Sequence, residues 1–202
     1  MYGGEVALRI YMDAVAFQEG LEEVWTQEQT GLVTREVFVS TGVTGAFTRI
    51  MPTYDNNAAV ASVYAEVAWR HGWLLVDRCV SDEEYDRLNP AGDHWKNRDY
   101  QLTDIDREFG TPSIRFGGSN HRFPHTIAYA PPTRDRGLIC LHFASIHNDK
   151  ALGTGADPES PVLLAVRRET PGPFWESFTF TPAGIAFQRA QHDRDEHDSQ
   201  AM

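Results

Sequence analysis

Half of the eight histidines in this chain lie in one short stretch, between Gly117 and Asp149. The stretch also holds one of the two cysteines, Cys140. Zinc binds imidazole and thiolate at about 2.0–2.3 Å, and non-haem iron adds a carboxylate, for which Asp149 is available. These residue types therefore predict a divalent metal site, with zinc or iron as the cofactor. The four histidines are His121, His125, His142 and His147.

Two apolar segments around a polar loop predict a β-hairpin in this stretch. HTIAYA and GLICLHFAS flank PPTRDRG, and alternate residues of a strand share one face. If Tyr129 pairs with Leu138, His125 lies opposite His142, with Cβ atoms ~5 Å apart. A shift of one residue would separate the two imidazoles, and the sequence does not fix the register. The expected metal ligands are His121, His125 and His142.

The same hairpin offers a cysteine nucleophile as an alternative. Cys140 and His142 are two residues apart, ~7 Å along a strand, which is too far for a direct hydrogen bond. His125 on the neighbouring strand could act as the base instead. The expected catalytic residues are therefore His125, His142 and Cys140. The simpler alternative is a structural hairpin with hydrogen-bonded histidines and a buried, inert cysteine.

The start of this stretch, RFGGSNHR, predicts an anion site. Two arginines next to a glycine turn could hold a phosphate or a carboxylate. It is not a P-loop, because neither the GK[ST] signature nor a following helix is present. The alternative is an ordinary turn between two strands. The expected ligand-binding residues are Arg115, Gly117, Gly118 and Arg122.

The charge of the chain narrows the class of partner. It carries 29 acidic residues against 18 basic ones, a formal net charge of −11. Phosphate attraction drives nucleic-acid binding, so we expect no nucleic-acid partner and no anionic membrane. A basic protein partner or a small-molecule ligand fits better. Within the polar segment 89–101, Trp95 and His94 are the expected partner contacts, since tryptophan is favoured at interfaces.

These observations leave two function hypotheses. The first is an acidic binding protein of inhibitor, immunity or adaptor type, because the chain contains no complete catalytic motif. The second is a small-molecule enzyme with a histidine-lined, metal-dependent site on the hairpin at 125–147. Two cysteines are too few for a disulfide framework, the N-terminus lacks a signal-peptide pattern, and no apolar run approaches the ~20 residues of a membrane span. We therefore expect a cytoplasmic protein.

The N-terminal pattern predicts an α+β layer. EVALRIYM (5–12), LVTREVFVS (32–40), AFTRIM (46–51) and WLLVDRCV (73–80) have the character of strands. A helix capped by Asp13 follows the first, and a second helix within 54–72 ends at Gly72. The resulting order, βαββαβ, is that of the ferredoxin-like fold, with helices on one face of a four-stranded sheet. After it, Ser81 and Glu84 predict a capping box.

The C-terminal half has the pattern of an antiparallel sheet. A short helix, LTDIDREFG, with Thr103 as its expected cap, precedes five strand-like segments separated by Pro- and Gly-rich loops. We expect three parts in the chain: a ferredoxin-like unit at 1–90, a β-rich unit at 91–188 and an acidic disordered tail at 189–202. The five segments are PSIRFG, HTIAYA, GLICLHFAS, PVLLAVRR and ESFTFT.

Overall fold

The chain combines helices with one antiparallel sheet. A computed structural model describes residues 3–51, 57–117, 125–144 and 161–190. Its helices are α1 (Gly3–Glu19), α2 (Glu22–Thr34), α3 (Gly42–Ile50), α4 (Asn57–Arg70), α5 (Asp82–Arg87), α6 (His94–Asn97), α7 (Leu102–Phe109) and α8 (182–190). Its strands are β1 (Ile114–Phe116), β2 (His125–Tyr129), β3 (Ile139–Phe143), β4 (Leu163–Arg168) and β5 (Phe178–Phe180), the last preceded by a 3₁₀ turn at Phe174–Ser177.

The five strands pair in sequence order, each antiparallel to the next. Both faces of this sheet are covered, so the fold has three layers. Helices α1 to α4 pack on one face, where Phe47 and Val63 meet Ala165 and Phe178. Because neither face is open to water, β3 is buried along its whole length, as its apolar sequence requires.

Helices α5 to α7 cover the opposite face. Trp95 and Ile105 pack there with Ile127, Leu141 and Val166 of the sheet. Alternate strand residues therefore enter different cores: Ile127 faces α5 to α7, and the next residue, Ala128, faces α4. This alternation decides which of the candidate site residues can meet.

The predicted N-terminal strands are wrong. Residues 5–12 lie within α1, and residues 46–51 fall largely within α3. Residues 32–40 and 73–80 form the end of α2 and irregular chain. In α1 the buried residues Met12 and Ala16 follow helical spacing, and Asp13 accepts a hydrogen bond from Trp25 Nε1 (2.6 Å) instead of capping a helix. The described part of 1–90 contains no ladder strand, so the ferredoxin-like order is not found.

Elements with strong local signals are confirmed. α4 occupies the second predicted helix, and Gly72 follows it with φ +76°. Ser81 and Glu84 form the expected capping box of α5. α7 ends before Gly110, although its cap is Gln101 and not Thr103. The five predicted C-terminal strands are all present.

The proposed division of the chain stays a prediction. A single buried cluster joins Val43 and Val60 to Leu164 and Phe187, so apolar contacts cross the expected boundary after residue 90. Of the expected tail, residues 189 and 190 belong to α8, and 191–202 lie outside the described residues. Within the described ranges, no helix is long and apolar enough to cross a membrane.

Candidate functional site

The hairpin register differs by one residue from the one that would join the histidines. Tyr129 pairs with Ile139, not Leu138, and Thr126 pairs with His142. His125 lies opposite Phe143 instead. Because the side chains of a strand alternate, this shift places His125 and His142 on opposite faces of the sheet. The expected histidine pair is therefore not formed.

His142 is a core residue. Its ring packs at 5.5 Å from the ring of Phe47 and 5.9 Å from that of Phe178, centroid to centroid. Its Nδ1 shares a hydrogen bond of 3.1 Å with the hydroxyl of Thr126. Burial, and then the charge of Arg167, lower the pKa of His142 well below its usual value, so the ring is neutral. A neutral imidazole enclosed by aromatic rings stabilises the core and has no access to a substrate.

Cys140 lies on the same face as His142, under α4. It is fully buried, and burial raises the pKa of its thiol to about 11. The nucleophile in cysteine catalysis is the thiolate, which this environment disfavours. His125, the base expected for it, projects from the opposite face of the hairpin. The arrangement does not support nucleophilic catalysis by Cys140.

The described residues also do not form the expected metal site. Within the described ranges, no three His, Cys, Asp or Glu side chains lie close enough together to hold a metal ion. His121, His147 and Asp149 lie outside the described residues. The zinc or iron site with His121 as a ligand stays a prediction.

The expected anion site stays a prediction, because only two of its four residues are described. Arg115 Nη2 forms an ion pair with Asp106 Oδ1 at 2.9 Å, so its charge is already compensated. Gly117 adopts φ +96°, as a glycine turn requires. Gly118 and Arg122 lie outside the described residues.

Trp95 is not available as a partner contact. It is fully buried, stacks on Phe109 with 5.5 Å between ring centroids, and donates from Nε1 to Asn89 O at 3.1 Å. His94 is half-buried against the Trp95 ring, and burial lowers its pKa. The polar segment 89–101 therefore forms α6 and contributes a large aromatic side chain to the core.

A buried ion pair lies on the α4 side of the sheet. Glu66 Oε2 and Arg167 Nη1 are 2.6 Å apart, and each side chain is at most 3% exposed. Arg167 Nη2 donates to Ser62 Oγ at 3.3 Å and approaches Cys140 Sγ at 3.4 Å. Burial raises the pKa of Glu66, and the charge of Arg167 opposes that rise. Two charges in the interior are tolerated because each compensates the other.

Beside this pair is a narrow cleft whose enclosed space, about 10 Å³, admits about one water molecule. At its edge Arg35 and Arg70 both form ion pairs with Glu169, and Arg70 Nη2 also contacts Glu28 Oε2 at 2.7 Å. We call it the ionic cleft. Its charged lining residues are Arg35, Glu66, Arg70, Arg167 and Glu169, and its apolar ones are Leu32, Val37, Val63, Val67 and Phe174.

The exposed apolar face of α1 is a second candidate site. Val6, Ile10, Ala14 and Phe17 follow each other at helical spacing, with Tyr11 beside them. Val6 is 57% exposed, Ile10 62%, Tyr11 73% and Phe17 75%. We call these five residues the outer face of α1. Contiguous exposed apolar side chains are typical of interaction sites.

Acidic residues are concentrated in the second half of α1 and the first turn of α2. They are Asp13, Glu19, Glu22 and Glu23, and all four are exposed. The basic residue of α1, Arg9, lies over the ring of Phe38 at 5.6 Å. The outer face is therefore apolar with an acidic border.

Both features have signals in the sequence. Within the otherwise apolar helix α4, a polar residue recurs every four positions, at Ser62, Glu66 and Arg70. These three side chains therefore share one face of a helix that is otherwise suited to burial. Arg167 ends an apolar run, LLAV. In α1, the alternation of Val6, Leu8, Ile10 and Met12 resembles a strand but equally fits a helix with two apolar faces.

Comparisons with family models, with curated proteins and with solved structures find no significant match to this chain.

Proposed function

We propose that the protein is a binding protein without chemistry of its own that engages a basic protein partner through the outer face of α1. The observation that carries the proposal is the exposure of four large apolar side chains on one helix, from 57% for Val6 to 75% for Phe17. Water contact with such a face is unfavourable, and covering it releases free energy in proportion to the apolar area buried.

Charge favours a basic partner over a second copy of the chain. Two copies would bring together two surfaces that both carry Asp13, Glu19, Glu22 and Glu23, on proteins with a formal net charge of −11. Like charges across an interface oppose association, whereas complementary charges steer it. An amphipathic helix with leucines on one side and lysines or arginines around them has the complementary pattern.

The environments of two of the sequence-predicted catalytic residues also support binding over catalysis, because Cys140 and His142 are buried in uncharged states. The two unpaired cysteines fit a reducing compartment, and we propose a cytoplasmic location.

The test uses the full chain and a labelled model helix with leucines on one face and lysines on the other. We expect fluorescence anisotropy to show saturable binding that weakens with added salt, because the attraction is partly electrostatic. The double variant Ile10→Glu/Phe17→Glu should weaken binding at least about tenfold. A peptide with glutamates in place of the lysines should not bind.

Val33→Glu is the matched control, because Val33 is as exposed as Val6 but lies on α2. It should bind the basic peptide as the parent does. Equal loss in Val33→Glu and in the double variant would show unspecific attraction and contradict the proposal. Self-association of the parent through α1, detected by light scattering, together with no peptide binding would contradict the choice of partner.

A further inference from the structure

Charge is distributed unevenly along the outer face of α1. Between Arg9 and Arg35 the chain contains no lysine, arginine or histidine. Four exposed carboxylates of this stretch form no ion pair with another described residue: those of Asp13, Glu19, Glu22 and Glu23. The described residues therefore leave a negative charge uncompensated at the end of α1 that leads into α2.

The N-terminal half of α1 has a different charge. Its one acid, Glu5, is held by α3, because its carboxylate accepts from Val43 N–H at 2.8 Å. Its one base, Arg9, is exposed. The surroundings of the outer face therefore change along the helix, from weakly charged near Val6 to strongly negative beyond Phe17.

We propose that the outer face of α1 binds its partner helix in one orientation, with the basic residues of that helix grouped at the end that lies over the turn between α1 and α2. The orientation rests on the proposed function, since it concerns the partner of the same surface. The other end of the partner helix, over Val6 and Ile10, is apolar and uncharged. The partner is recognised by where its charges lie along the helix and not by their number alone.

The length of α1 makes this placement matter. A helix rises about 1.5 Å per residue, so Val6 and Glu19 are about 20 Å apart along the axis. Attraction between exposed charges is largely screened beyond about 8 Å at physiological ionic strength. A lysine over Val6 therefore gains little from the carboxylates at the turn and lies closer to Arg9. A lysine over Glu19 or Glu22 is attracted by several carboxylates at once.

The apolar part of the surface sets the length of the partner helix. From Val6 to Phe17 the outer face extends over about 16 Å, which is roughly three helical turns. A partner helix with apolar residues at i, i+3, i+4 and i+7 over the same length covers it. Its basic residues follow directly after the last of these, where Glu22 and Glu23 begin α2.

The experiment uses the ¹⁵N-labelled full chain and two amphipathic peptides of reversed sequence. Both carry leucines on one face and a block of lysines, at the N-terminal end of one peptide and at the C-terminal end of the other. A nitroxide is attached to the lysine end of each through a thioether, which does not exchange with the exposed thiol of Cys79. We expect both nitroxides to broaden the amide signals of Glu19 and Glu22 more than those of Val6 and Ala7.

The outcomes separate the orientation from binding itself. One peptide could broaden the turn and the other the Val6 end, which would mean that chain direction and not charge orients the helix. That result, or equal broadening at both ends, would overturn the orientation while the binding surface stands. If neither peptide binds saturably, the proposed function fails and the orientation fails with it.

Two double variants test the assigned charges. Glu22→Gln/Glu23→Gln leaves the apolar face intact, and it should weaken both peptides several-fold and make the broadening at the two ends more alike. Asp77→Asn/Glu83→Gln is the matched control: it also removes two exposed carboxylates, and Glu83 lies in the first turn of α5, on the opposite side of the sheet. It should change neither affinity nor orientation. Equal effects of the two double variants would show a response to net charge alone and overturn the proposal.

Discussion

Helices α1 and α4 lie against each other and are both apolar around most of their circumference, but they meet different surroundings. Every residue of α4 from Ala58 to Trp69 is buried or half-buried. It lies between the other N-terminal helices and the sheet, as expected of a helix that is hydrophobic all round. In α1, Met12 and Ala16 are buried, while Ile10 and Phe17 face solvent.

The two helices differ in where their apolar side chains lie. Those of α4 pack within the protein, whereas several of those of α1 face solvent. The apolar residues of α4 are accounted for by contacts within the chain, and its one buried acid, Glu66, is paired with Arg167. Among the described residues none covers the large side chains of the outer face of α1, which is the basis of the proposed partner site.

The largest effect is expected at the charged pair beneath α4. Glu66→Ala leaves Arg167 buried without its counter-charge and should lower the free energy of unfolding by about 3–5 kcal/mol. The measurement is urea denaturation at neutral pH.

The double variant Glu66→Leu/Arg167→Met is the control, since replacing a buried pair with apolar residues of similar volume is often neutral. It should recover most of the loss. A cost below about 1 kcal/mol for Glu66→Ala would mean that the pair is hydrated like a surface salt bridge, in conflict with its burial.

The most direct comparison makes the same substitution in both helices. Val67→Ala removes two methyl groups from a side chain that is 1% exposed, and should cost about 2 kcal/mol. Val6→Ala, on the outer face of α1, should change the free energy of unfolding by less than about 0.5 kcal/mol. The gain in helix propensity from alanine is similar in both and cancels. Equal losses at the two positions would show that the outer face is covered in solution.

The sequence predicted the C-terminal sheet well because its signals are local. Pro- and Gly-rich loops bound each strand, and β3 is a short apolar run with few alternatives. The register of the hairpin was not predictable, because it depends on how the loop after Tyr129 closes. A shift of one residue in this register decides whether His125 and His142 lie opposite each other or on different faces of the sheet.

Residues 5–12 of α1 and 46–51 of α3 were mistaken for strands, and in α1 the physical reason also concerns function. In α1, Val6, Leu8, Ile10 and Met12 alternate like a strand because the helix is apolar on two sides, not one. A single-faced helix would have shown its period of 3.6 clearly. The outer face that misled the prediction is the proposed binding surface. The ionic cleft was missed because Glu66 and Arg167 are about a hundred residues apart and meet only in the folded chain.

A smaller loss of stability is expected when the hydrogen bonds that hold α1 against α3 and α4 are weakened. Glu5 Oε1 accepts from Val43 N–H at 2.8 Å and from Tyr64 OH at 3.0 Å, which ties α1 to both α3 and α4. Glu5→Gln removes the charge from these hydrogen bonds and should cost about 1.5 kcal/mol. Hydrogen exchange should speed up in α1 and not in α4. Uniform acceleration in both helices would show that α1 and α4 open as one unit.

The smallest effect is a pH dependence of the free energy of unfolding that arises from His142, in the core beneath helices α1 to α4. Burial and the charge of Arg167 hold the pKa of His142 well below its usual 6.5, so the folded state binds fewer protons than the unfolded state once the pH falls below that value. The contribution of the neutral ring to the free energy of unfolding is therefore complete above about pH 6.5. It decreases towards the depressed pKa, by at most about 1.4 kcal/mol per pH unit.

Denaturation of the parent and of His142→Leu across this pH range isolates the contribution of His142, because every other titrating group is common to both proteins. We expect the variant to lose less stability on acidification. Parallel curves would mean that water reaches His142 and that the helices do not seal this face of the sheet.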